Sequence, residues 1–447
     1  MSHKNSDINF NIVLAVWGDD YISFFMEQIL PLYLTDGNLF SFSRHNIDAR
    51  FKIYTLPGNI SSFEKYESYK QLAERMDVTV TEVTSKHENK FYILSELHNF
   101  AIRESNQSNS AIIFMMPDTV LPDDSMEKLI KLRLDGFRAV MIWGFPVQKE
   151  TFCKKYALNN TRLSGRDFTR LSLSCTHNEW EAHIWNDHIV SDSPNSFYWR
   201  FPEGNGYLIR GFHLHPIMVD PVNMDIDLHY TIDIEYIYKA CPNDDMIYIV
   251  CDSDELLAAS LNPINEVRKM NMLSHNSVYD VIGKWSQWGA NPLHLRMFQE
   301  KLWVHTEDIG EYCHSIELES DSVVSRIIDR RNNLDNIFLR IIHGAKGRRI
   351  AIFGAGDFGQ LVCRTLPLYD VEPFAIFDND PCKWGKSYGP VPVCKPTPSM
   401  ITNCFIVIAV VESYGEISAG LEAQGLRENS SFLIFKIEEL DLLRHQP

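Results

Sequence analysis

The chain has 447 residues, a net charge of −17, 45% hydrophobic residues and 23% charged ones. That length spans about two to four typical domains, and the composition supports sizeable cores without disulfides or metals. The acidic balance excludes nucleic acid or an anionic membrane as the main partner, since both need a basic surface, whereas a phosphorylated small molecule needs only a local positive spot.

Nine scattered cysteines include no CxxC pair, so reduced thiols are expected rather than a zinc ribbon or a disulfide framework. The start, Met-Ser-His-Lys-Asn-Ser-Asp, lacks the basic-then-apolar pattern of a signal peptide, and no apolar run reaches the roughly 18 residues of a membrane span. A cytoplasmic protein with no transmembrane segment is expected.

From the start to about residue 260, short β-rich runs alternate with amphipathic stretches, the pattern of an α/β domain. The strand candidates are Asn11–Trp17, Phe51–Leu56, Val78–Val83, Ala111–Met116, Ala139–Trp143, Tyr207–Phe212 and Met246–Cys251. Between the third and fourth, Tyr92–Glu104 reads as a helix with Ile93, Leu97, Phe100 and Ala101 on one face. Residues 261–345 read as a helical connector, with helical patterns at Leu256–Leu261, Val267–Met272, Val278–Trp288, Leu293–Trp303 and Val323–His343, closed by a glycine stop at Gly344. From 346 to 447 the βαβ order is plain: strand Arg349–Phe353, helix Gln360–Leu368, strand Pro373–Phe377, strand Phe405–Val411, helix Ile417–Gln424 and strand Ser431–Phe435. The expected fold is α/β throughout, ending in a Rossmann-like doubly wound parallel sheet.

Gly354, Gly356 and Gly359 have the G-x-G-x-x-G spacing, leave a strand and open a helix. In that context Gly354 permits the tight turn, Gly356 the approach of a diphosphate and Gly359 close helix–strand packing. Asp378 ends the next strand, near the usual offset of about 20 residues for an acceptor of ribose hydroxyls. Together with Ala375-Ile-Phe-Asp-Asn-Asp380, Gly389-Pro-Val-Pro-Val393 and Val407-Ile-Ala-Val410, the turn resembles the nucleotide-sugar-binding domain of PglD-type sugar acetyltransferases. The resemblance covers about a quarter of the chain and implies a bound nucleotide or nucleotide sugar; NAD stays open, because the glycine turn alone does not separate the two. The β-helix acyltransferase of that family is absent, so acetyl transfer is not implied.

Upstream, Leu97-His-Asn-Phe-Ala-Ile-Arg-Glu-Ser105 precedes the apolar run Ser110-Ala-Ile-Ile-Phe-Met-Met-Pro-Asp118 and then Thr119-Val-Leu-Pro-Asp-Asp-Ser-Met126. With the first strand, Ile12-Val-Leu-Ala-Val-Trp-Gly-Asp-Asp20, this stretch resembles a GT-A glycosyltransferase, closely over the first 145 residues or so. The resemblance implies a nucleotide-sugar donor, a glycan or glycoprotein acceptor, and a divalent ion, Mn or Mg, shared by two carboxylates and the diphosphate. The first carboxylate is Met116 here, which leaves Asp118 alone. His213 and His215, two apart in a strand pattern, would face the same way and could complete a site with Asp118, because a late histidine often does so in that family.

Asp252 and Asp254 form a second Asp-x-Asp after an apolar strand, which equally suits a helix cap. If the anomeric centre inverts, acceptor activation needs a carboxylate base, for which Glu203, Asp233 and Glu235 are candidates, the last two solvated if helical. Arg200 and Arg210 could neutralise a diphosphate. These residues give a glycosyltransferase of surface-polysaccharide or glycoprotein assembly with catalytic Asp118, Glu203 and Asp233, and a nucleotide-holding domain at residues 346–447. Three alternatives stay open: a metal-dependent hydrolase built on His213 and His215, an NAD-linked oxidoreductase, and a non-catalytic binding protein. The C-terminal domain lacks the Tyr-x-x-x-Lys of short-chain sugar dehydrogenases and epimerases.

Overall fold

The computed structural model describes residues 8–436 apart from 159–161, 164, 186–188, 194–195, 229, 268–269, 312 and 335. The chain is mixed α/β and divides into two compact units, one of Met1–Met272 with Pro292–Val324, the other of Leu273–Asn291 with Ser325–Pro447. The stretch 261–345 is thus shared between them. Among the described residues no helix is long and apolar enough to cross a membrane.

The first unit contains strands β1 (Asn9–Ala15), β2 (Ala49–Thr55), β3 (Asp77–Glu82), β4 (Ser110–Met115), β5 (Thr119–Val120), β6 (Ala139–Ile142) and β7 (Gly144–Gln148). After these come β8 (Ile189–Ser191), β9 (Ser196–Arg200), β10 (Gly206–Gly211), β11 (His215–Val219), β12 (Ile247–Ile249) and β13 (Ala258–Asn262). β14 (Met272–Ser274) falls at the unit boundary, and β15 (Leu302–His305) belongs to the returning segment. Seven strands form the main sheet in the order β12-β6-β11-β4-β1-β2-β3, with β11 antiparallel to both its neighbours and the other pairs parallel.

The central strands β1 and β4 are buried almost throughout, which is why they read as continuous apolar runs. β3, at the edge, is only partly covered and carries Thr and Glu. Two smaller sheets, β5-β13-β7 and β15-β10-β9, complete the unit.

The helix Lys90–Gln107 returns the chain from β3 to β4, its first turn capped by the Asn89 side chain, which accepts the Phe91 N–H. Ile93, Leu97 and Ala101 are buried as the periodicity predicts, but Phe100 is 43% exposed and lies against Tyr54 instead. Asn99 clasps the backbone of Leu228, donating to its carbonyl at 3.0 Å and accepting its N–H at 2.6 Å. Leu256–Leu261 is not helical: Leu256, Leu257, Ala258 and Ala259 are all buried, and a short apolar run covered on both faces is stable as the strand β13. Likewise Leu293–Trp303 breaks after the helix Pro292–Gln299 and continues as β15, while Val267–Met272 contributes no helix among its described residues.

The second unit holds β16 (Ile350–Phe353), β17 (Ala375–Phe377), β18 (Ser387–Tyr388), β19 (Val391–Cys394), β20 (Phe405–Ile408) and β21 (Phe432–Ile434). They form one sheet in the order β18-β19-β17-β16-β20-β21, parallel except for the edge strand β18. The preceding helix, Ile337–Ala345, does not stop at Gly344, whose missing side chain lets it lie against the Phe405 ring. It stops one residue later, where Lys346 and Gly347 turn left-handed at φ 52° and 78°.

Candidate functional site

In an open parallel sheet, ligands bind beyond the carboxyl ends of the strands where the chain reverses its direction of travel across the sheet. In the first unit that point lies between β1 and β4: β2 and β3 are added on one side of β1, and the helix Lys90–Gln107 then carries the chain to the other. The loop after β1 brings half-buried Trp17, Gly18 at φ 80°, exposed Asp19 and Asp20, and 56% exposed Tyr21.

Asp118 lies in the turn between β4 and β5, and its carbonyl accepts the Leu261 N–H at 2.8 Å. Burial pushes its carboxyl group up; the charges of Lys149 and Lys90 pull it down, and Glu266 adds to the rise. Met116 stands where a second carboxylate would be.

The two histidines do not share a strand. His213 precedes β11 in a loop, and His215 is the strand's first residue. The ring of His213 packs on that of buried His294, with centroids 4.3 Å apart, and His294 Nε2 lies 2.8 Å from the Asp233 carbonyl oxygen. Burial, then the neighbouring His213, holds His294 well below the usual histidine range. Burial also lowers His215, against the opposing pull of the Asp233 charge and a hydrogen bond to the Phe114 backbone. His98 is lowered to about 3 by burial and by His215. Among the described residues His215 Nε2 and His98 Nδ1 find no partner.

Asp233 sits in the turn before the helix Tyr236–Ala240. Glu235 is neither extended nor solvated: it is 3% exposed and pairs with Lys239 at 3.0 Å, a buried acid kept by its cation. Glu203 falls in the turn Pro202–Gly204, and its side chain lies outside the described residues. Arg210 is not available to a ligand; 1% exposed, it binds Ser320 Oγ at 2.9 Å, the Gln299 carbonyl and Asp321. Arg200 pairs with Glu181 at 2.9 Å.

Asp252 and Asp254 cap no helix. Asp252 Oδ1 accepts the Asp254 N–H at 2.7 Å and faces His305 Nε2 at 2.9 Å, while His305 Nδ1 faces the Glu307 carbonyl at 2.7 Å. Both ring nitrogens meet acceptors, an environment for the imidazolium. The Asp252 bond raises His305 over the opposition of burial, and Asp252, although burial opposes this, is held low by His305 and the Asp254 N–H. Arg166 binds both oxygens of Asp254, at 2.9 and 2.7 Å, and Asp308 at 2.6 Å. Among the described residues this is the one group of three or more His, Cys, Asp or Glu side chains whose ligand atoms lie within 4.8 Å of one another. Asp118, His213 and His215 are not brought together in that way. Neither His305 nor Arg166 is marked by local sequence, because both meet the acids only through folding, with His305 53 positions from Asp252.

In the second unit the reversal point lies between β16 and β20, and the glycine turn sits at its carboxyl edge. Gly354 has φ +121°, and a Cβ there would come within 2.5 Å of Val410. At Gly359 a Cβ would meet the Gly354 carbonyl oxygen at 1.7 Å, so helix and strand touch through it. Gly356 differs: its φ is −88°, and a Cβ would meet nothing within 4 Å. Neither backbone strain nor internal packing calls for a glycine there, which leaves open space beside the first turn of the helix Asp357–Thr365. Asp378, expected to accept a ribose, is 8% exposed and already accepts Ala355 N–H at 2.7 Å, Asp380 N–H at 2.8 Å and Lys383 Nζ at 3.1 Å. Tyr388 donates its hydroxyl to the Ala355 carbonyl at 2.9 Å. Asp378 therefore braces the turn, and these donors hold it below the usual carboxylate range although burial opposes them.

No family model matches the chain, and no curated protein matches it. Among solved structures it is similar to RSP in complex with β-NADH, at 15% identity over 31% of this chain and 80% of that one, TM-score 0.19. A putative glucose-1-phosphate thymidylyltransferase from Bacillus anthracis, in complex with a sucrose, matches at 12% identity over 32% and 57%, TM-score 0.20. The mannosyltransferase PcManGT from Pyrobaculum calidifontis, in complex with GDP-Man and Mn2+, matches at 10% identity over 73% and 76%, TM-score 0.26. Likenesses at these scores carry no argument about what this chain binds or does.

Proposed function

We propose that the chain is a glycosyltransferase with a GT-A-like first unit, moving a sugar from a nucleotide-sugar donor to a glycan or glycoprotein acceptor. The second unit, a Rossmann-like doubly wound sheet, holds a nucleotide or nucleotide sugar. The observation that supports the reading is the reversal point between paired β1 and β4, where the chain leaving β1 carries half-buried Trp17 and exposed Tyr21 and the chain leaving β4 carries Asp118. An aromatic face suits a nucleobase, and helix starts suit a diphosphate. Asp118 is the acid at the donor end. Asp233, or Glu203 from its turn, is the candidate base that takes the proton of the acceptor hydroxyl as that oxygen attacks the anomeric carbon and the nucleoside diphosphate departs.

The divalent ion that the resemblance implies does not fit the residues at this edge. Asp118 is a single carboxylate beside Met116, and the nearby charges that lower its pKa are lysines. The group at Asp252, Asp254 and His305 has its charges met by Arg166 and by the histidine's own proton.

The test is to incubate the full-length chain with UDP-, GDP- and dTDP-sugars and measure released nucleoside diphosphate. Turnover of one donor is expected, with kcat/KM lowered on the order of a hundredfold in Asp118→Asn. Absence of binding and turnover with every donor, or an unaffected D118N enzyme, rejects the reading.

A further inference from the structure

Three helices of the first unit follow directly on strands: Asp19–Phe24 after β1 and Lys90–Gln107 after β3 of the main sheet, and Lys149–Leu158 after β7 of the smaller sheet β5-β13-β7. The first begins with two acids, as the positive end of a helix dipole favours. The other two begin with lysine, against that preference, although Glu150 follows Lys149 and its carboxylate accepts the Ile264 N–H at 3.0 Å. A cation at a helix N-terminus adds charge to the free N–H groups already there, and the combination is unfavourable unless an anion shares it.

Both lysines bear on one place. Leu261 of β13 donates its N–H to the Asp118 carbonyl and pairs with Val147 of β7, so the backbone before Lys149 runs two strand spacings, roughly 10 Å, from that of Asp118. The Lys149 ammonium then lies 3.5 Å above the Phe24 ring, on the helix that follows β1. It thus reaches from the end of β7 to the helix that follows β1. The Lys90 ammonium lies 5.3 Å from the Phe91 ring centroid at the start of its own helix. Among the described residues neither lysine forms an ion pair. Both ammonium charges act on the Asp118 carboxyl group.

We propose that Lys149, assisted by Lys90 and the first N–H groups of the helices they open, binds the donor's diphosphate in place of a divalent ion. This rests on the first unit being the donor site, and it explains the loss of the first carboxylate at Met116. Two carboxylates suit a cation that is itself recruited. A fixed ammonium needs none, and a second acid there would compete with the phosphates for it.

The experiment titrates UDP and GDP into the full-length Gly356→Val chain, which removes the space at the second unit's glycine turn, by calorimetry with EDTA or with excess Mn or Mg. Equal affinity with and without metal is expected, falling on the order of ten- to a hundredfold in K149A and recovering in K149R. Binding that needs Mn or Mg, or that K149A leaves unchanged, overturns the assignment to Lys149 while leaving the transferase reading intact. Absence of binding under every condition overturns both.

Discussion

His305 stands between a carboxylate and a carbonyl, and its proton stabilises that arrangement. Its pKa is raised on folding, so its contribution is complete below the unfolded histidine value, about 6.5, and fades as pH rises through the higher folded value. Asp252 is lowered, so its share is present above about 3.9, the unfolded aspartate value, and fades as pH falls through the lower folded value. Thermal unfolding should therefore separate the native chain from His305→Ala by a few degrees at pH 6 and by less at pH 9; an equal gap at both would remove the imidazolium from the account. The place of Asp118 in a turn after β4 was legible in the sequence because a strand end followed by a turn announces itself locally. His305 was not, and the lysines at 90 and 149 look like ordinary surface charges until their helices are placed. Arg210 misled for a related reason: in sequence, nothing distinguishes a phosphate-binding arginine from one buried beneath Ser320.

The glycine turn is an element whose three glycines have different physical grounds, and substitution should separate them. G359A drives a methyl group into the Gly354 carbonyl and should lower the melting temperature of the second unit sharply, a cost of about 3 kcal/mol or more. G356A meets nothing and should cost about 1 kcal/mol or less through the helix start, with weakened nucleotide binding as its main effect. A G356A protein that binds nucleotide as before would show that the space is not used. Most strands of the two larger sheets were legible within a few residues because their apolar runs are bounded by turn residues; β11, β18 and β19, short and carrying proline, tyrosine or histidine, were not. The connector was misjudged where an apolar run was short, since helix and doubly covered strand share that pattern until the neighbours are known; β13 and β15 are the cases in point.

For the whole molecule, the units are discontinuous, and composition along the chain gave no hint of it. A boundary at 346, drawn where the βαβ order begins, separates the sheet of the second unit from the helix Ile337–Ala345. In that helix, Phe338 stacks on Tyr369 at 5.6 Å and Asn336, its cap, accepts the Phe338 N–H while donating to the Tyr369 hydroxyl at 3.0 Å. Ile337 and Ile341 are buried beside it, and each such side chain is worth about 1.5–3 kcal/mol. A fragment of residues 325–447 should therefore melt cooperatively and well above one of 346–447 by circular dichroism. Equal melting would mean that the sheet needs neither contact.

The same discontinuity sets a schedule for synthesis. The helix His275–Gly289, with buried Trp285 and Trp288, rests Gly283 against Arg330 and sends the Gln287 amide to the carbonyls of Arg331 and Leu334 at 2.9 and 3.1 Å. It leaves the ribosome before those partners exist, and at about 5–20 residues per second it waits a few seconds for them. During that interval its two tryptophans are exposed apolar surface on a nascent chain, so the segment Leu273–Asn291 is where a chaperone has the most reason to bind.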